Sequence, residues 1–128
     1  MSLLDSNGKK ICFLRQVVSD LGVKNVKIEQ QRVELFQPKV PYDIIIARAF
    51  SSLSNLLSSS KQLCAPTGRI IAMKGMYPNA ELDEIEPPYD IHEVTLPGEE
   101  DTKRHIVIIE MKGRHLDSLK KCELELLE

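Results

Sequence analysis

Apolar residues recur along this chain in two rhythms. From Lys9 to Leu21 the residues Ile11, Leu14, Val18 and Leu21 return at helical spacing, and Phe13 and Val17 widen the stripe. That pattern predicts an amphipathic helix, with Gly22 placed to stop it. Elsewhere the apolar residues come in short β-branched runs. Tyr42-Asp43-Ile44-Ile45-Ile46-Ala47 and Arg69-Ile70-Ile71-Ala72-Met73 read as strands buried on both faces. Ser2-Leu3-Leu4-Asp5 reads as the end of another strand, broken by Asn7-Gly8, and Val26 to Ile28 as a short one. A second helix carries Leu53, Leu56 and Leu57, takes Ser51 or Ser52 as its cap and ends by Cys64, and Pro66-Thr67-Gly68 reads as a turn. Asn79 to Ile85 predicts a short acidic helix stopped by Pro87-Pro88. Strands at Tyr89 to Thr95 and His105 to Met111 follow, and the polar loop Pro97 to Lys103 between them suits an antiparallel pair.

Strands alternating with helices, then a terminal hairpin, imply an α/β domain with a mostly parallel sheet covered on both faces. We place this domain at residues 1–112 and a helical, Leu-, Lys- and Glu-rich tail at 113–128. Ligands of such sheets bind in the crevice beyond the carboxyl ends of the strands. Here the strand ends carry polar clusters: Asp5, then Arg32 and Glu34, then Arg48, then Lys74.

Composition narrows the field. With 128 residues, 42% hydrophobic and 28% charged, the chain has the balance of a globular domain. A net charge of −2 argues against a freestanding electrostatic nucleic-acid binder, so any RNA contact must be local. Trp is absent and aromatics are 5%, so base-stacking platforms are few. Cys12, Cys64 and Cys122 are odd in number and far apart, which fits reduced thiols of a cytosolic protein rather than a disulfide framework or a zinc site. The longest apolar runs, Ile44 to Ala47 among them, are far too short for a membrane span.

Each strand-end residue carries two readings. Asp5 stands where a nucleoside-binding fold places a carboxylate for the ribose hydroxyls, or else serves the following helix as a cap or first-turn charge. Val33 and Glu34 offer an adenine ring an apolar contact and a polar partner, or form a solvated turn. Arg48 sits at the mouth of the crevice, where its guanidinium pairs with a carboxylate or phosphate, or else closes an internal bridge with Asp43 or Glu34. Lys74 repeats that geometry on the next strand, and Lys103-Arg104-His105 opens the last strand with three basic residues that either touch RNA phosphates or belong to a solvated loop. His92 and His115 match no metal-ligand spacing, and no nucleophile–histidine arrangement is visible.

Several segments taken together resemble the glucose-inhibited division protein B family. They are Leu3-Leu4-Asp5-Ser6, Gly8-Lys9-Lys10, Phe13-Leu14-Arg15-Gln16-Val17, Arg32-Val33-Glu34, Ala47-Arg48-Ala49-Phe50-Ser51-Ser52-Leu53, Met73-Lys74-Gly75 and Arg104-His105-Ile106-Val107-Ile108. The resemblance runs from about Ser2 to Met111. It implies a Rossmann-like class I methyltransferase fold, S-adenosylmethionine as cofactor, cytoplasmic location, and methylation of N7 of a guanine in small-subunit ribosomal RNA. By the same resemblance Asp5 lies near the cofactor ribose, Val33 and Glu34 against the adenosine, and Arg48 at the cofactor or incoming nucleotide. Lys74 and Arg104 would face the RNA. No catalytic residue is implied, because guanine N7 presents its lone pair at neutral pH and needs placement rather than a general base.

This chain departs from the family at its start. Family members open with a helical segment, a strand and a Gly-x-Gly-x-Gly-type loop, whereas none of the six glycines here lies near another. Weak or absent cofactor binding is therefore expected. The missing first strand would lie between the strands ending at Asp5 and Arg48, leaving two unpaired ladders. The expectation is a homo-oligomer formed through that gap. A truncated, non-catalytic homologue that self-associates or contacts RNA is the alternative to an enzyme fragment.

Overall fold

The structure is a computed structural model, and it describes residues 1–48, 52–85, 88–111 and, by backbone, 123–126. Seven strands form one sheet: β1 (Ser2–Asp5), β2 (Lys27–Gln30), β3 (Tyr42–Arg48), β4 (Cys64–Lys74), β5 (Tyr89–Leu96), β6 (Glu99–Glu110) and β7 (Glu123–Leu126). Among the described residues three α-helices connect them: α1 (Gly8–Leu21), α2 (Leu53–Ser60) and α3 (Asn79–Leu82). The strand order is β2-β1-β7-β3-β4-β6-β5, parallel throughout except for β6, which is antiparallel to both β4 and β5. This is the mostly parallel sheet with a terminal antiparallel hairpin that the alternation of patterns predicts.

Local chemistry sets the element ends. The Asn7 side chain accepts hydrogen bonds from the backbone N–H groups of Lys9 and Lys10 at 2.9 and 3.3 Å, satisfying two donors that a helix start leaves free. Gly22 ends α1 in the left-handed conformation, φ 64°, with its N–H returned to the last turn. The Ser52 hydroxyl accepts from the Asn55 N–H at 3.1 Å and caps α2. Alternation along the strands then builds the core. The row Leu4, Ala47, Ala72 and Val107, and the row Ile45, Ile70 and Ile109, are almost wholly buried, and Leu53 and Leu56 of α2 and Leu82 of α3 belong to the same core cluster.

Four expectations change. Pro66-Thr67-Gly68 is not a turn between helix and strand; it lies inside β4, where the register with β3 shifts beside Asp43. A Cβ at Gly68 would stand 2.6 Å from Cys64 Sγ and 2.7 Å from the Asp43 carbonyl oxygen, so only glycine lets the two strands approach there. The loop expected over Pro97 to Lys103 is mostly strand, with a turn at Pro97-Gly98. Residues 123–126 form a strand rather than the helix expected of the tail, while 112–122 lie outside the described residues.

The fourth change follows from the third. The place between β1 and β3 is not empty: β7 fills it, parallel to both, with Leu4 and Ala47 each in register with Leu126. The gap through which self-association was expected is therefore closed by the chain itself. Connectivity explains how. Because β6 runs antiparallel, it returns the chain to the amino edge of the sheet, and the register Glu110, Arg69, Ile44, Glu123 sets the end of β6 and the start of β7 in one row. Three strand spacings separate them, about 14 Å, well within the reach of about 40 Å of the twelve intervening residues.

Candidate functional site

The strand registers carry all the polar tips to one edge. Asp5 lies one position beyond Leu4, and Arg48 one beyond Ala47, so both stand in one row, two strand spacings or about 10 Å apart across β7. Arg48 is in register with Met73, and Lys74 with His105. The 3-10 turn Val33–Leu35 follows the end of β2, beside Asp5: the Gln31 N–H donates to the Asp5 carbonyl oxygen at 3.1 Å. A broad open groove exists too; it runs from Ser2, Asn25, Val40 and Tyr42 at the amino edge to Gln31 and Leu35 beside the 3-10 turn, and Asp5, Val33, Glu34 and Arg48 do not line it.

Asp5 is the most constrained member, at 1% exposure. It is not the helix cap, a role Asn7 fills. Its Oδ1 accepts the Asn7 backbone N–H at 2.8 Å, which fixes the carboxylate plane. Oδ2 is buried and has no hydrogen-bond partner among the described residues, and the nearest cation, Lys10 Nζ, is 4.0 Å away at the surface. A buried carboxylate oxygen without a donor is costly, and it is a ready acceptor for a hydroxyl brought by a ligand.

The remaining predicted residues divide. Val33 is buried at 4% and belongs to the core cluster, while Glu34 beside it is exposed. Arg48 is exposed and makes no ion pair with the described residues. The bridge to Asp43 weighed above is ruled out by geometry, because five residues of extended strand hold the two about 17 Å apart. Lys74 is largely buried and pairs with Glu81 Oε2 at 2.9 Å; the same oxygen accepts the Leu53 N–H at 2.9 Å and so ties β4, α3 and α2 together. Arg104 lies on the exposed part of the β5–β6 hairpin, 3.7 Å from Glu99. Ala49, Phe50 and Ser51, quoted in the resemblance, lie outside the described residues.

Sequence reasoning did not single out Tyr77 or Glu81, and it took His105 as one of a basic trio facing RNA phosphates or a solvated loop, whereas His105 is buried. His105 was legible: in the order His105, Val107, Ile109 it occupies the buried phase of β6. Its Nδ1 lies 3.1 Å from the Gly75 carbonyl oxygen, which can only accept, so Nδ1 carries the proton; Nε2 faces Glu93 at 3.8 Å. Glu81 left no local signal, because its partners lie 7 and 28 residues away. No cluster of His, Cys, Asp and Glu fit for a metal occurs among the described residues, and no described helix is long and apolar enough to cross a membrane.

The family described as rRNA small subunit methyltransferase G matches residues 1–107. The chain belongs to that family. Relatives named ribosomal RNA small subunit methyltransferase G, from Idiomarina loihiensis and Chromobacterium violaceum, are each 44% identical, over 87% and 84% of this chain. The alignments cover 55% and 52% of those relatives, so the chain spans about half their length. Among solved structures, an rRNA methylase from Streptococcus thermophilus superposes with a TM-score of 0.62 at 16% identity, covering 88% of this chain and 73% of that one. The N-methyltransferase NodS from Bradyrhizobium japonicum, in complex with S-adenosyl-l-homocysteine, gives 0.60 at 8% identity over 85% and 65%. At such identities the likeness shows the fold, a Rossmann-like class I methyltransferase architecture. In this chain, β7 holds the sheet position that the resemblance assigned to the family's first strand.

Proposed function

We propose that this chain carries the ribose-binding and RNA-facing part of an S-adenosylmethionine-dependent methyltransferase that acts on N7 of a guanine in small-subunit (16S) ribosomal RNA. The observation that carries the reading is the buried Oδ2 of Asp5, without a donor among the described residues, in one row with the exposed Arg48. The cofactor, when bound, supplies an electrophilic methyl group; the chain's residues only have to place things. Asp5 accepts the ribose hydroxyls, Glu34 and the backbone at Val33 border the adenosine, and Arg48 neutralises the cofactor carboxylate or a phosphate of the nucleotide. Lys74, paired with Glu81, and Arg104, paired with Glu99, lie on the RNA side, where a phosphate would compete with those carboxylates. A base with its own lone pair requires no proton acceptor, which agrees with a site of carboxylates and cations.

A glycine-rich loop is absent from the 128 residues, so close backbone approach to the methionine end of the cofactor is missing. The chain by itself therefore binds cofactor at about 1 mM or weaker and has little or no activity. Titrating S-adenosyl-homocysteine while following backbone amide NMR signals tests both statements. The expected result is millimolar binding, with shifts concentrated at Asp5, Gln31, Val33 and Glu34. Micromolar affinity would overturn the predicted weakness, and shifts confined to Ser2, Asn25, Val40 and Tyr42 would overturn the site.

A further inference from the structure

We propose that Tyr77 is the stacking platform for an unpaired RNA base, a role that rests on the functional reading above and adds a specificity residue to it. Exposed aromatic rings among the described residues are those of Phe13, Tyr77 and Tyr89. Phe13 stands on α1, and Tyr89 is in register with Ile109, and through it with Ile70, away from the carboxyl edge. Tyr77 alone of the three follows the tip of β4, just beyond Lys74-Gly75-Met76.

Its surroundings are built to hold a ring. Tyr77 packs edge-to-face on His105, centroids 5.4 Å apart and planes at 89°. His105, 7% exposed, is pinned in turn by the Gly75 carbonyl at 3.1 Å and by Glu93 at 3.8 Å. The ring is therefore anchored from below while 48% of the residue stays open to solvent. Lys74 is in register with His105, Arg104 is the next residue on β6, and Arg48 stands one strand away. An aromatic ring on a fixed base, exposed at the sheet edge that carries Lys74 and Arg48, is the arrangement that holds an unstacked base. A chiefly apolar protein partner fits less well, because charged residues border the ring.

Fluorescence anisotropy with a short labelled oligouridylate carrying one central guanosine, and with the same strand abasic at that position, tests the proposal. Wild type is expected to prefer the intact strand by roughly tenfold, the scale of one base–aromatic stack. Tyr77→Leu should bind the intact strand roughly tenfold more weakly and no longer distinguish the two, whereas Tyr77→Phe should match wild type. Unchanged melting of Tyr77→Leu would separate lost stacking from lost structure. Intact-strand binding by Tyr77→Leu equal to wild type overturns the role of Tyr77 and leaves the wider reading standing; wild type that binds neither strand overturns both. Should the leucine variant not fold, equal affinity of wild type for intact and abasic strands is the overturning result.

Discussion

Asp5 shows how one side chain serves structure and ligand with different atoms. Oδ1 satisfies the Asn7 N–H, and Oδ2 is left for something else. Asp5→Ala would deprive that part-buried donor of its acceptor, so we expect a loss of about 1 kcal/mol in urea unfolding. The thiols behave oppositely to each other. Cys12 is exposed, whereas burial, and secondarily the charge of Asp43, pushes the Cys64 thiol up to about 11. At pH 8 iodoacetamide should therefore modify folded Cys12 and spare Cys64. The unfolded thiol ionises near 9 and the folded one near 11, so across that window the unfolded state loses its proton first and stability falls as pH rises. Urea unfolding at pH 8 and pH 10.5 should show that extra fall in wild type and not in Cys64→Ala.

Glycines decide outcomes at the scale of elements. Gly68 is pressed between Cys64 Sγ and the Asp43 carbonyl, while a Cβ at Gly75 would meet open space. Gly68→Ala should cost about 2 kcal/mol or more, and Gly75→Ala less than about 0.5 kcal/mol, both measured by denaturant unfolding. Gly22, at φ 64°, should lose about 1 kcal/mol on replacement by alanine. These elements were unevenly legible. The helix over Lys9–Leu21 and its glycine stop could be read from spacing, because helix ends are satisfied by near neighbours. Pro66-Thr67-Gly68 could not. Proline and glycine together are local turn signals, and only the approach of β3 shows that here they sit at a register shift inside β4.

The whole molecule turns on β7. Without it, β1 and β3 would each present an unpaired ladder in the middle of the sheet. A chain ending before Glu123 should lose cooperative unfolding and associate as concentration rises, in sedimentation velocity. If that chain unfolds like the intact one, β7 contributes nothing to the sheet. The central position of β7 also sets the spacing of the site, because it holds Asp5 and Arg48 two strands apart on one edge.

Local patterning by itself determined the α/β class, the glycine stop of α1 and the polar strand tips, and motif order pointed to the methyltransferase family. Each of these is a property of neighbouring residues: a period of two or 3.6, a cap, a short motif. Tertiary structure alone decided which tips keep unsatisfied valence, that Glu81 holds Lys74, that His105 supports Tyr77, and that the tail completes the sheet. These depend on partners tens of residues away. Residues 123–126 could take more than one local conformation, and the vacant ladders of β1 and β3 select the extended one.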